Sequence, residues 1–264
     1  MCMKRKLISA CLGAGVMAVL SLFTQRAAAA CVLSDADTLT LMTYNVRNAN
    51  GLDGVQSVER VAAVIRKSTP DVVAVQELDS ATARAKGAYI LGKLAAATGM
   101  TATYGPAISF DGGKYGLGLL SRQRPLSVRR VALPGREERR TMLLVEFPDY
   151  AVACIHFSLT EADRMASLPL VREAVVGLKD KTVFIAGDWN ATPGSDFIKG
   201  IEEDFVLLTR SDEASYPADA PEICIDYIAV DKAHADDWML VSSQTLPEGV
   251  ASDHRPKVVR LVRK

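Results

Sequence analysis

Eight polar residues of the types used in catalysis lie far apart in this 264-residue chain, and most of them stand where an apolar run ends. Asn45 closes the run Leu39–Tyr44, Glu77 closes Val72–Gln76, and His156 closes Val152–Ile155. Asp188 and Asn190 follow Val183–Gly187, Asp226 lies inside Ile223–Ile228, and Asp253 and His254 occupy a turn before the last apolar run. In layered α/β proteins, ligands gather at the carboxyl ends of strands, where loops hold polar groups over a rigid sheet. Carboxylate and amide oxygens without cysteine suit a hard divalent cation such as Mg²⁺ or Mn²⁺. Such an ion polarises a phosphoryl oxygen and lowers the pKa of bound water, while an imidazole held by a carboxylate moves protons near neutrality.

Each motif also has a plainer reading. In Gly187-Asp188-Trp189-Asn190 the glycine is expected to let the chain turn sharply, and the Asp-x-Asn spacing can aim two oxygen-bearing groups at one point; an ordinary Asp/Asn turn is the alternative. An aspartate at position 226 inside an apolar strand must be paired if buried, either structurally or to orient His254. Ser252-Asp253-His254-Arg255-Pro256 could be a solvated turn, and Gln76-Glu77 and Tyr44-Asn45 are unremarkable alone. Residues 122–140 carry seven arginines, which read either as charges protecting a sheet edge or as phosphate contacts, with Arg139 and Arg140 the candidates for contact. Neither a P-loop nor a Gly-x-Ser-x-Gly motif is present.

The elements that must position these residues alternate between short apolar runs and amphipathic stretches. Strands are expected near 38–45 and 71–76, with helices near 55–67 and 87–98; Val55, Val58, Ala62 and Ile65 mark the first helix and Pro70 ends it. Four strands follow (102–109, 115–121, 125–133 and 140–147), then one ending at His156, a helix near 160–178 and the strand before Gly187. Strands at 223–230, 238–242 and 256–262 complete the pattern. Two sheets packed face to face with helices outside account for it.

Residues 1–30 read as a signal peptide: Lys4-Arg5-Lys6, an apolar stretch from Leu7 to Phe23, then alanines up to Ala30. An uncleaved anchor and lipidation at Cys31 are the alternatives. The chain is therefore expected to be exported, with residues 31–264 as one hydrolase domain. That part carries 27 basic against 31 acidic residues, net −4, which excludes a surface that wraps nucleic acid. No obligate protein partner is implied, and a monomer is expected. Of the three cysteines left, Cys154 and Cys224 are expected to be buried free thiols rather than a bridge. Each should share a strand face with the site residue two positions on.

Taken jointly and in this order, Tyr44-Asn45, Gln76-Glu77, Ile155-His156-Phe157, Gly187-Asp188-Trp189-Asn190, Ile225-Asp226-Tyr227 and Ser252-Asp253-His254-Arg255-Pro256 resemble the endonuclease/exonuclease/phosphatase superfamily. The resemblance spans about 38–262. It implies a four-layer α/β/β/α sandwich of the DNase I-like type and divalent-metal hydrolysis of a phosphate ester: a lipid head group, a small organic diester or a nucleic acid. Carried over by position, it implies that Glu77 is the principal metal carboxylate, with Asn45 and Asp253 near the same ion or a second one. Asp188 and Asn190 match the pair that positions water and phosphate oxygens, and His254 the histidine oriented by a buried aspartate, here Asp226. His156 matches the histidine that contacts the phosphate or leaving oxygen. Where the DNase I type has a glutamate supporting that histidine, this chain has Tyr115. A secreted nuclease and a non-catalytic phosphate-binding module are the rival readings.

Overall fold

Strand β1 (Thr38–Asn45) alternates strictly: Leu39 and Leu41 face one hydrophobic layer, while Met42 and Tyr44 face another. That parity is the rule of the whole architecture. In the computed structural model, which describes residues 38–178 and 180–264, β1 is followed by α1 (Val58–Ser68), β2 (Val72–Ser80), α2 (Ile90–Thr98), β3 (Thr101–Phe110) and β4 (Gly113–Ser121). Next come β5 (Ser127–Leu133), β6 (Arg140–Glu146), β7 (Tyr150–His156), α3 (Glu161–Val176), β8 (Thr182–Asp188) and α4 (Asp196–Glu202). The chain ends with β9 (Phe205–Leu207), β10 (Asp226–Asp231), β11 (Trp238–Thr245) and β12 (Lys257–Arg263). The signal-peptide reading of residues 1–30 and the fate of Cys31 lie outside the described residues.

The strands form two six-stranded sheets, ordered β11-β12-β1-β2-β4-β3 and β5-β6-β7-β8-β10-β9. One apolar layer lies between the sheets, built from residues such as Leu41, Leu143, Phe184 and Val259. A second packs α1 and α2 on the first sheet, and a third packs α3 and α4 on the second. This is the expected α/β/β/α sandwich. Both faces of each sheet are covered, so its central strands read as nearly continuous apolar runs.

Boundaries moved where local chemistry dictated. Helix α1 starts later than its periodicity suggested, because the Ser57 side chain accepts from the Arg60 amide and caps it there; Val55 lies outside and is exposed. Strand β10 starts at Asp226 rather than 223, so Asp226 opens a strand instead of sitting inside one. Cys224 therefore lies before the strand and faces the α3/α4 layer, not the face of Asp226, whereas Cys154 does face inward. Both thiols are buried and free. Among the described residues, no helix is long and apolar enough to cross a membrane.

Candidate active site

The same parity places the polar strand ends. In β7, Tyr150, Val152 and Cys154 face the inter-sheet layer, so His156 is the next inward position. In β8, Phe184 and Ala186 precede Asp188 on that face, and in β10 Ile228 and Val230 follow Asp226. Asn45 likewise continues the inward series of Leu39, Leu41 and Thr43. Register then aligns the second sheet's three groups in one row: His156 pairs with Asp188, and Asp188 with Asp226. Polar groups thus cap an apolar core at one end of the sandwich.

Glu77 breaks the alternation. Regular pairing would turn it outward with Val73 and Val75, but β2 carries one extra residue against β4, between Val75 and Leu78. Leu78 takes the outward place, and Glu77 adopts a left-handed φ of 59°. The bulge frees its carboxylate for the site. Gly187 differs from the expectation of a turn: it is an ordinary position inside β8. A Cβ there would meet the Ile155 carbonyl oxygen at 1.8 Å, so the glycine permits close approach of β7. The left-handed residue is Asn190, at φ 49°. Trp189 points away into the outer layer and stacks on Tyr227.

Asp188 is the hub. Its Oδ2 accepts from Asn45 Nδ2 at 3.0 Å and lies 3.5 Å from His156 Nε2 and 3.7 Å from His254 Nε2. Its Oδ1 accepts from the Asn190 amide at 3.0 Å. The Asn190 side-chain nitrogen donates to the Phe157 carbonyl, and its oxygen has no partner among the described residues. Asn45 Nδ2 also donates to Glu77 at 2.9 Å, so one amide bridges two acids. His254 Nδ1 lies 2.9 Å from Asp226, whose same oxygen accepts from Ser215 at 2.7 Å, and Tyr216 packs against the imidazole. Asp253 stands at the edge, 3.5 Å from the Arg47 guanidinium.

The two imidazoles are held in opposite states. Burial disfavours charge on His254, but the attraction of Asp226 and then Asp188 outweighs it and pushes its pKa up to about 10. Burial pulls His156 down to about 4, with Asp188 opposing and the Arg140 charge reinforcing the shift. Arg140 Nη1 sits 3.2 and 3.3 Å from the two His156 ring nitrogens, and Glu137 and Glu138 flank its guanidinium. Arg140, not Tyr115, therefore supports His156; Tyr115 forms no hydrogen bond to it, and its half-buried ring lies beside Phe110 and Arg84. Arg139 is exposed and makes no pair among the described residues. Most other arginines of 122–140 are structural: Arg129 bonds the Ala174 carbonyl of α3, and Arg136 clamps Asp163. His234 is half-buried against Asp231 and belongs to another part of the molecule.

A family model for the endonuclease/exonuclease/phosphatase family matches residues 42–254. The chain belongs to the endonuclease/exonuclease/phosphatase family. It is similar in fold to a family protein from Beutenbergia cavernae, at 20% identity over 86% of this chain and 72% of that one, with a TM-score of 0.67. A mannosyl-6-phosphatase from Bacteroides thetaiotaomicron gives 17% identity, 85% and 99% coverage and a TM-score of 0.67. The human Nocturnin catalytic domain with bound sulfate gives 16%, 86% and 95%, and 0.63. Among curated proteins no sequence matches the chain. Members of this family are phosphoester hydrolases that generally use divalent metals.

The endonuclease/exonuclease/phosphatase site in this chain has donors of the right chemistry for such an ion. The Glu77 carboxyl pKa is raised by loss of hydration, eased by Asn45 and aggravated by Asp188 and Asp253, and Asn45 is its only bonded partner among the described residues. Two acids sharing one amide, with Asp253 adding like charge nearby, is a charge arrangement that a hard cation would relieve. Asn45 turns Nδ2 toward the acids and its oxygen toward the Arg47 amide, so it could join a cation's shell only with the amide reversed. Asp188, Asp226 and His254 also bring one donor atom each within 4.8 Å, but His254 and Ser215 are already bonded to Asp226. Ser215, Tyr216 and Arg140's link to His156 carry no motif that sequence could reveal; Arg47, two residues after Asn45, was visible but not singled out.

Proposed function

We propose that this chain is an exported, divalent-metal-dependent phosphodiesterase that hydrolyses its substrate by in-line attack of water. The observation that carries the reading is the meeting of Asn45, His156 and His254 around one oxygen of Asp188, beside a bulged Glu77. Export rests on the leader of residues 1–30.

Glu77, with Asn45 and Asp253 close by, would hold Mg²⁺ or Mn²⁺. That ion supplies Lewis-acid stabilisation of charge developing on phosphorus-bound oxygen. The protein's own groups divide the remaining work. His254 already carries its proton, so it offers positive charge and a donor to a phosphoryl oxygen. Asp188 Oδ2 is then the acceptor that orients the attacking water and receives its proton. Asp226 fixes the His254 ring through Nδ1, and Ser215 fixes Asp226. Neutral His156 lies against the hub through Nε2, and Asn190 is tied to the hub through its backbone amide.

A diester fits better than a monoester because positive charge in the pocket is rationed: Arg140 is flanked by two glutamates, which leaves little surplus for a dianion. The similarity to a mannosyl-6-phosphatase makes the monoester the competitor to test. The mature protein should hydrolyse a chromogenic diester with Mg²⁺ or Mn²⁺ faster than its monoester, tested beside sphingomyelin, inositol phosphates, RNA and plasmid DNA. Asp188→Ala and His254→Ala should each lower kcat at least about 10²-fold. Equal rates in parent and both variants would overturn the site assignment.

A further inference from the structure

Beyond the reacting centre, Glu77 also lines a polar cleft of about 470 Å³ whose walls include Arg47, Asn48, Leu52 and Arg84. Both arginines are placed rather than loose. Residues 47–49 are three consecutive non-glycine residues with left-handed φ, of 46°, 54° and 60°. That conformation is costly for side-chain-bearing residues and here sets Arg47 two residues after Asn45, where the strand ends. Arg47 has one pairing, to Asp253 at 3.5 Å. Its other guanidinium nitrogens bond nothing among the described residues.

Arg84 is held more firmly. Its backbone amide donates to Asp111 at 2.6 Å, and its Nε and Nη2 form a two-point bond to the fully buried Asp79, at 2.7 and 2.8 Å. Thr82 also donates to Asp79, and the guanidinium lies 4.5 Å from the Phe110 ring centre and 5.4 Å from that of Tyr115. Aromatic rings and a buried acid thus fix the plane of the cation. Nη1 has no partner among the described residues, and nearly half of the side chain stays exposed. Pre-organising a planar fork while leaving one edge open is an arrangement suited to receiving an anion.

We propose that the Arg47–Arg84 cleft is a second anion subsite, which takes a phosphate or carboxylate that the substrate carries beyond the scissile phosphate. It rests on the phosphodiesterase reading, since Glu77 is common to the cleft and the reacting centre. The preferred substrates are therefore diesters with an additional anionic group, rather than diesters of two neutral alcohols.

The test uses the mature protein with Mg²⁺ and pairs of 4-nitrophenyl alkyl phosphates. One member carries a terminal carboxylate on the alkyl chain and the other the isosteric carboxamide; a second pair exchanges phosphate for hydroxyl. The parent should favour at least one anionic member by about ten- to hundredfold in kcat/KM, expressed mainly in KM. Arg84→Gln and Arg47→Gln should each reduce that ratio about tenfold. Because Arg84→Gln leaves the buried Asp79 uncompensated, its melting is followed in parallel, and Arg47→Gln provides the variant that strands no buried charge. No preference in the parent, or a preference unchanged in a folded variant, overturns the subsite. Hydrolysis of neither member of a pair by the parent overturns the phosphodiesterase reading itself, and this one with it.

Discussion

The two site histidines differ in charge because their partners differ, although both are buried. His254 faces Asp226 and Asp188, and His156 faces Arg140 as well as Asp188. Asp226→Asn should lower the His254 pKa, so the alkaline limb of the pH–rate profile should move to lower pH and kcat should drop about 10²-fold or more. An alkaline limb unmoved in that variant would show that His254 does not act as the charged donor. Stability follows the opposite sign for His156. Its folded pKa, about 4, lies below the ordinary imidazole value of 6.5, so its contribution is complete above 6.5 and is lost as pH falls toward 4. For His254 the folded value is raised, so its contribution is complete below 6.5 and is lost as pH climbs toward 10. Urea titrations of the metal-free protein at pH 4, 5.5 and 7 should show His156→Gln flattening the acid-side loss. Residue identities were legible in sequence because the strand ends were. The partnership of Arg140 with His156 was not, since it joins a strand start to a strand end only once β6 and β7 pair.

Elements were legible wherever a period ran long enough. Each apolar run ending in a site residue became a strand, and the three longest helices appeared near their expected places. Helix α4 and strand β9 are too short to leave a period, at 7 and 3 residues, and neither was expected. The bulge in β2 was equally hidden, because one extra residue shows only against a partner strand. Gly187 illustrates the same difficulty: its type was conspicuous but its reason lay in the neighbouring strand. Gly187→Ala would force a methyl into the Ile155 carbonyl and should destabilise the fold by about 1–3 kcal/mol or more. It should also disturb the His156–Asp188 pairing one residue beyond. Equal urea midpoints for parent and variant would refute close approach as the role of this glycine.

At the scale of the molecule, four layers enclose three apolar cores, and the inter-sheet core ends in the site. Phe184→Ala, in that middle layer, should cost about 3–5 kcal/mol, read from chemical denaturation. A bound cation should act in the other direction. Mg²⁺ or Mn²⁺ should raise the melting temperature of the parent in proportion to RT ln(1 + [L]/Kd), and Glu77→Gln should abolish most of that rise. A variant stabilised as strongly as the parent would place the ion elsewhere.

Cys154 lies below the site, where its sulfur accepts from Gln76 and donates to the Val75 carbonyl, and burial pushes its thiol up to about 12. It bonds to the opposite sheet, so a reagent can reach it only when the two halves part. In a version keeping this cysteine alone, the rate of alkylation would act as a clock for breathing of the sandwich. The Asn45–Asp188 bond, which joins the two sheets at the rim, should slow that clock.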